Sequence, residues 1–212
     1  MPKRVVYCRD TLTWFRNRTA GWLDSVIVSF PGSTDVVPAI KTMAEYASWY
    51  REVAGLICAN VAPNGYAIFH CTDQRYDGRL MDKAALLHSV AEATGLETIW
   101  HKIALRRDIG KTDLYRPTFG HLICFSKEGK SGLATPDVIA PEKLPWASGV
   151  SIGAMRTACE FVQRQGARYV VDPLCGFGTT LAVANALGLD AVGIDINVER
   201  CEAARRLKVN LT

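Results

Sequence analysis

Apolar residues along the chain follow two periodicities in turn. Short runs rich in β-branched residues predict strands at "RVVYC" (4–8), "DSVIVSF" (24–30) and "YAIFHCT" (66–72). Further strands are predicted at "LETIWHKIAL" (96–105), "FGHLICFSK" (119–127), "RYVVDP" (168–173) and "DAVGIDIN" (190–197). Between them, apolar positions recur at helical spacing in "MAEYASWYREVAGLICANV" (43–61), "MDKAALLHSVAEATG" (81–95), "SIGAMRTACEFVQRQG" (151–166) and "LAVANALG" (181–188). Strands alternating with helices predict an α/β fold. The runs at 96–105 and 119–127 suit an antiparallel hairpin, and "APNG" (62–65) suits a turn before its strand. "KSGLATPDVIAPEKLPWASG" (130–149) is rich in Pro, Gly and small residues and reads as an irregular crossing segment.

Composition narrows this little. With 212 residues, 49% of them hydrophobic, the chain suits one domain with a sizeable core. No apolar run reaches the roughly 20 residues of a membrane span, and the start "MPKRVVYCRD" lacks a signal-peptide core, so a soluble, intracellular and most simply cytoplasmic protein is expected. The seven cysteines are scattered without C-x-x-C spacing, and His70, His88, His101 and His121 show no metal spacing, so reduced thiols and no metal are expected. A net charge of +4 is compatible with a nucleic-acid partner without demonstrating one.

Chemistry concentrates near the end of the chain. "VVDPLCGFGTT" (170–180) reads as a buried strand and a Gly-bearing turn opening a helix. Gly176 and Gly178 let backbone approach a ligand, and the helix start offers free N–H groups. Asp195 closes the next strand, where a carboxylate can accept hydrogen bonds from two ribose hydroxyls. The plain alternative is an ordinary αβ turn with a solvated Asp. A nicotinamide fingerprint would place Gly or Ala at position 181, which is Leu181, and would normally open a chain.

This stretch resembles the D-P-F-x-G-S-G-T-T motif of S-adenosylmethionine-dependent DNA and RNA amino-methyltransferases in their permuted (beta-type) order, with the catalytic half first. Asp172, Pro173, Gly176, Gly178, Thr179 and Thr180 match; Leu174 replaces Phe and Phe177 replaces Ser. "GIDIN" (193–197) is similar to the family's G-[IV]-[DE] stretch. The resemblance implies a Rossmann-like methyltransferase fold: a mixed seven-stranded sheet with an antiparallel hairpin, helices on both faces and circularly permuted motifs. One domain, 1–212, is implied, with a catalytic and target half at 1–130, the crossing segment at 131–150 and a cofactor half at 151–212. Asp172, Pro173, Cys175, Gly176, Gly178, Thr179, Thr180, Asp195 and Asn197 would bind S-adenosylmethionine. Asp10 would face the adenine amine, though an Asp there is equally a helix N-cap.

The family's catalytic tetrapeptide is [DNS]-P-P-[YFW]; here the corresponding residues are Ser29, Phe30, Pro31 and Gly32. An exocyclic amine conjugated to a base is a poor nucleophile, and two acceptors for its N–H groups draw it toward a tetrahedral, nucleophilic geometry. The Ser29 hydroxyl and Phe30 carbonyl supply such a pair, and Pro31 stiffens the turn. Gly32 lacks the aromatic ring that stacks on the extruded base. Phe30 is either a substitute for that ring or a core residue. Two basic stretches, "CTDQRYDGRL" (71–80) and "LRRDIGKTDLYRP" (105–117), hold Arg75, Tyr76, Arg106, Arg107, Tyr115 and Arg116, which suit phosphates and unstacked bases or are simply solvated. The expected reaction is methyl transfer to the exocyclic amine of a base, with RNA slightly favoured over DNA because so little recognition surface remains. Two alternatives stay open: the same donor with a small-molecule or protein acceptor, and a silent cofactor-binding subunit. A protein partner would serve target recognition.

Overall fold

The structure is a computed structural model and describes residues 2–16, 21–36, 40, 42–114, 116–132, 134–142 and 150–211. The first part of the chain runs β1 (Arg4–Cys8), α1 (Thr11–Arg16), β2 (Leu23–Ser29), α2 (Met43–Asn60), β3 (Val61–Cys71), β4 (Gln74–Tyr76), β5 (Arg79–Met81), α3 (Lys83–Ala93), β6 (Glu97–Leu105) and β7 (Phe119–Ser126). After β8 (Val138–Ile139) follow α4 (Ile152–Arg164), β9 (Tyr169–Asp172), α5 (Thr179–Ala186), β10 (Asp190–Asp195) and α6 (Val198–Arg206).

The main sheet has the order β1-β10-β9-β2-β3-β7-β6-β8. β1, β10, β9, β2 and β3 are parallel neighbours, and β7 runs antiparallel to both β3 and β6. The late strands β9 and β10 thus lie between two strands, β1 and β2, that precede them by most of the chain. The expected α/β architecture is present. The predicted seven strands gain an eighth, because residues 138–139 of the crossing segment pair with Ile103 and Ala104.

Each sheet face buries its own apolar cluster. One contains Tyr46, Tyr50, Val53, Ile57 and Leu87 from α2 and α3; the other contains Met155, Phe161, Leu181, Val183 and Cys201 from α4, α5 and α6. Helix α6 was not apparent in the sequence pattern. Two further segments depart from expectation. The "APNG" turn is absorbed into β3 as a register shift against β2, with Gly65 so close that a Cβ would sit 2.5 Å from the Leu23 carbonyl oxygen. The stretch 71–80 contains a hairpin, β4–β5, turned at Asp77 and Gly78 with φ of 48° and 69°. Among the described residues, no helix is long and apolar enough to cross a membrane.

Strand register decides where chemistry can occur. Cys8 lies opposite Asp195, Gly193 opposite Asp172, and Ser29 opposite His70. The carboxyl ends of five parallel strands therefore share one rim of the sheet. Strand order reverses between β9 and β2, whose ladder is the single pair Val26–Val171. The crevice beyond such a reversal is where open α/β sheets bind ligands.

Gly178 has a packing role in this scaffold. Its φ is 87°, and an added Cβ would lie 2.7 Å from Ala204 Cα in α6; Gly176, with φ of 51°, has nothing within 4 Å of that position. Gly178→Ala should therefore cost about 2–5 kcal/mol of stability, from backbone strain plus overpacking. Gly176→Ala should cost only about 1–2 kcal/mol. Denaturant unfolding of both variants checks the order, and equal losses would contradict it.

Candidate active site

The turn after β9 is held by the carboxylates on either side of it. Asp172 ends β9 with 1% of its surface exposed, and its Oδ1 accepts from the Leu174 amide at 3.1 Å. Asp195 ends β10; its Oδ2 accepts from the Gly176 amide at 3.0 Å and its Oδ1 from the Asn197 amide at 2.8 Å. Each Asp195 oxygen keeps a second lone pair, so the residue can brace the turn and still accept ribose hydroxyls. Thr179 and Thr180 open α5, both buried, and Thr180 Oγ1 lies 3.3 Å from Met155 Sδ of α4. Thr11 of α1 donates to the Pro173 carbonyl and so ties the first helix to this turn.

On the other side of the reversal, Ser29 ends β2, with its Oγ 3.1 Å from His70 Nδ1 at the end of β3. The turn that follows is braced throughout. The Tyr46 hydroxyl donates to the Pro31 carbonyl at 2.6 Å, the Gly32 amide donates to Asp35 Oδ2 at 3.0 Å, and the Ser33 amide donates to Gln74 Oε1 at 3.2 Å. No described residue donates to the Phe30 carbonyl oxygen, which leaves it open to a substrate N–H.

Both sides open into one cavity of about 650 Å³, within the roughly 300–1,000 Å³ of small-molecule sites. Of the expected cofactor residues, Asp10, Asp172, Cys175, Gly176, Thr179, Thr180 and Asp195 line it, and from the tetrapeptide so do Ser29, Phe30 and Pro31. Arg75, Arg106 and Arg116 of the basic stretches also line it.

Other expected residues are placed elsewhere. Gly178 packs on α6 and does not line the cavity, nor does Pro173. Asn197 does not line it either: its Oδ1 caps α6 by accepting from the Arg200 amide at 2.9 Å. Tyr76 is 59% exposed on the β4–β5 hairpin, and Arg107 pairs with Asp113 at 3.4 Å, both away from the cavity. Tyr115 lies outside the described residues. Asp10 is indeed a helix N-cap, accepting from both the amide and the hydroxyl of Thr13 at 2.8 Å, while lining the cavity.

Phe30 belongs to the core. The residue is 6% exposed, and its ring lies 4.1 Å from Tyr50 and 6.0 Å from both Trp49 and Phe69, centroid to centroid. The base-stacking substitute considered for it is therefore ruled out by its packing. Gly32 does not need to be glycine for backbone reasons, since its φ is −70°. The indole that lines this part of the cavity is Trp49 of α2.

Several cavity residues had no recognisable signal in the sequence. His70 and Trp49 are examples; so are Phe177 and Ile196, 40% and 72% exposed beside Asp195, whose apolar surfaces suit an adenine ring. Arg200 lies over the Phe177 ring at 5.8 Å. A lone apolar residue after a strand gives no hint that it faces a ligand.

Burial tunes the charges here. Desolvation pushes the Asp172 carboxyl up to about 7; the Thr180 hydroxyl and Leu174 amide pull it down, and Asp195 adds repulsion. Desolvation pushes His70 down to about 4, helped by the charges of Arg106, His121 and Lys83, so its ring is neutral at physiological pH. The site therefore holds a carboxyl raised toward neutrality at the end of β9 and a neutral imidazole behind Ser29.

Two outcomes follow for the cofactor half. Asp195→Ala should weaken S-adenosylmethionine binding by about 1.5–3 kcal/mol, the scale of lost charged hydrogen bonds; unchanged affinity in a folded variant would remove the ribose role. Asp172 is mostly protonated at pH 6, below its value of about 7, and a cationic ligand nearby favours the carboxylate. Binding should therefore release close to one proton at pH 6 and almost none at pH 8.5. Calorimetry in buffers of different ionisation enthalpy measures this release. It should vanish in Asp172→Asn, and its persistence there would assign the proton elsewhere.

Residues 165–206 match the family model described as DNA methylase. No curated protein matches the sequence. Solved structures match across nearly the whole chain. PvuII DNA methyltransferase (cytosine-N4-specific) aligns with a TM-score of 0.74 at 16% identity, covering 100% of this chain and 89% of that one. TTHA0409, a putative DNA modification methylase from Thermus thermophilus solved with S-adenosyl-L-methionine, aligns with a TM-score of 0.67 at 14% identity, covering 96% and 91%. The M1.HpyAVI–SAM complex aligns with a TM-score of 0.65 at 16% identity, covering 96% and 98%. At these identities the structural matches establish the fold, and the family match lies on the residues that build the Asp172–Gly176–Asp195 turn. The chain is thus similar to the DNA methylase family in sequence over residues 165–206 and shares the fold of the solved methyltransferases throughout.

Proposed function

We propose that the protein transfers the methyl group of S-adenosylmethionine to the exocyclic amine of a base in DNA. The observation that carries this reading is the common cavity. Ser29 Oγ and the Phe30 carbonyl, two acceptors suited to one amine, open into the same space as Asp172, Gly176 and Asp195. The matched family and solved structures are DNA methylases, and they lend no support to RNA, to another class of acceptor or to a silent subunit.

The chemistry is a direct displacement at the sulfonium methyl. The amine lone pair forms the new N–C bond as the C–S bond breaks, leaving S-adenosylhomocysteine and an N-protonated methylamine. In-line placement by the two halves of the cavity does much of the work. The excess proton can pass to Ser29 as Ser29 hands its own to His70 Nδ1. A histidine held near 4 is a weak base, but a cationic amine conjugated to a base ring is a far stronger acid, so the transfer runs downhill. Arg75, Arg106 and Arg116 suit the phosphates flanking an extruded nucleotide, and Trp49 is the ring placed to meet its face.

Ser29→Ala should leave S-adenosylhomocysteine affinity unchanged and lower single-turnover methylation about ten- to a thousandfold, roughly 1.4–4 kcal/mol of transition-state stabilisation. Ser29→Asn should retain part of the rate, since its amide oxygen is also an acceptor. Wild-type turnover in Ser29→Ala would end the amine mechanism and make the turn purely structural.

A further inference from the structure

Two lysines are buried among the described residues, and they differ in one respect. Lys102 in β6 is 3% exposed, and its ammonium has three partners: the carbonyls of Thr135 and Pro136 at 3.2 and 2.9 Å, and Asp137 at 3.2 Å. Lys83 is 2% exposed and lines the cavity, yet no described oxygen accepts from its ammonium and no described carboxylate lies within 4.0 Å. Its Nζ lies 5.0 Å from the Tyr46 ring centroid and 5.9 Å from that of Tyr50.

The position is costly. Lys83 is the first residue of α3, where the positive end of the helix repels a cation, and desolvation disfavours the charge further. The tyrosine faces offset part of that cost, as does the field of Asp73, whose carboxylate accepts from His121 at 3.2 Å and from the Lys83 backbone amide at 2.9 Å. Neither supplies an acceptor for the three ammonium protons. A cation that meets a binding cavity with no acceptor from the protein is open to completion by a ligand.

We propose that Lys83 reads the target base, its ammonium donating to an unprotonated ring nitrogen or carbonyl oxygen of the base whose amine is held at Ser29. This rests on the amine-methylation reading above. The Tyr46 ring beneath the ammonium is the one whose hydroxyl donates to the Pro31 carbonyl, so the lysine stands beside the turn that holds the amine. A phosphate is the poorer occupant at such depth, because Arg75, Arg106 and Arg116 meet the cavity from more accessible positions. Lysine has no acceptor, so it selects a base edge presenting lone pairs and disfavours one presenting an N–H.

The test pairs a protein change with an atomic change in the DNA. Single-turnover methylation is measured on a duplex oligonucleotide that the wild-type protein methylates, and on analogues in which each acceptor atom of the target base is removed in turn. Lys83→Met should slow methylation of the parent duplex about ten- to a hundredfold, the scale of a lost charged hydrogen bond, with S-adenosylhomocysteine affinity and melting temperature near wild type. One analogue should slow the wild type by a similar factor and slow Lys83→Met no further. If every analogue slows both proteins alike, or if Lys83→Met methylates at the wild-type rate, Lys83 does not read the base. Should Lys83→Met not fold, the analogues still test the wild type: no acceptor removal costing even threefold would overturn the proposal. Absence of wild-type methylation on any DNA would instead remove the amine-methylation reading, and this inference with it.

Discussion

The candidate site depends on the seam between β2 and β9. There the sheet is joined by one pair, Val26 with Val171, helped by Ser25 donating to the Tyr169 carbonyl. On one side stand strands from early in the chain, carrying Ser29 and His70; on the other stand late strands carrying Asp172 and Asp195. Parallel register puts all four at strand carboxyl ends, and the reversal of strand order between β9 and β2 leaves a crevice that neither half forms alone. The candidate donor and acceptor residues are adjacent because of sheet topology, although they are separated by most of the chain.

Desolvation is the second organising effect. Around the cavity, burial raises the Asp172 carboxyl, lowers the His70 imidazole and strips water from Lys83. Burial moves each group toward its uncharged form, and in the proposed reaction the three would meet a cationic donor, a proton leaving an amine and a lone pair on a base. Lys102, away from the cavity, is instead satisfied internally by two carbonyls and a carboxylate.

What the sequence could reveal tracks how local each feature is. The β9 turn, its glycines and Asp195 lie within one strand–helix–strand unit, so spacing alone singles them out as candidates. The pairing of Ser29 with His70 depends on the β2–β3 register, which shifts between Leu23 and Ser25, and no local pattern encodes it. Phe30 illustrates a different limit, because an apolar run does not say which face of the sheet a ring will take; here it packs against Tyr50. Gly178 was recognisable as a special glycine, but the contact that makes it special is with Ala204 in a helix formed later. The β4–β5 hairpin was hidden by short, charged strands that resemble a loop.

The central claim is that donor and amine meet across the β2–β9 seam, and the product's chemistry tests it most directly. The protein should be incubated with methyl-labelled S-adenosylmethionine and unmethylated duplex DNA, and the digested nucleosides analysed by mass spectrometry. The account predicts label on an exocyclic nitrogen, as N4-methylcytosine or N6-methyladenine. Label on a ring carbon, or label confined to RNA or protein when those are supplied as competitors, would contradict it.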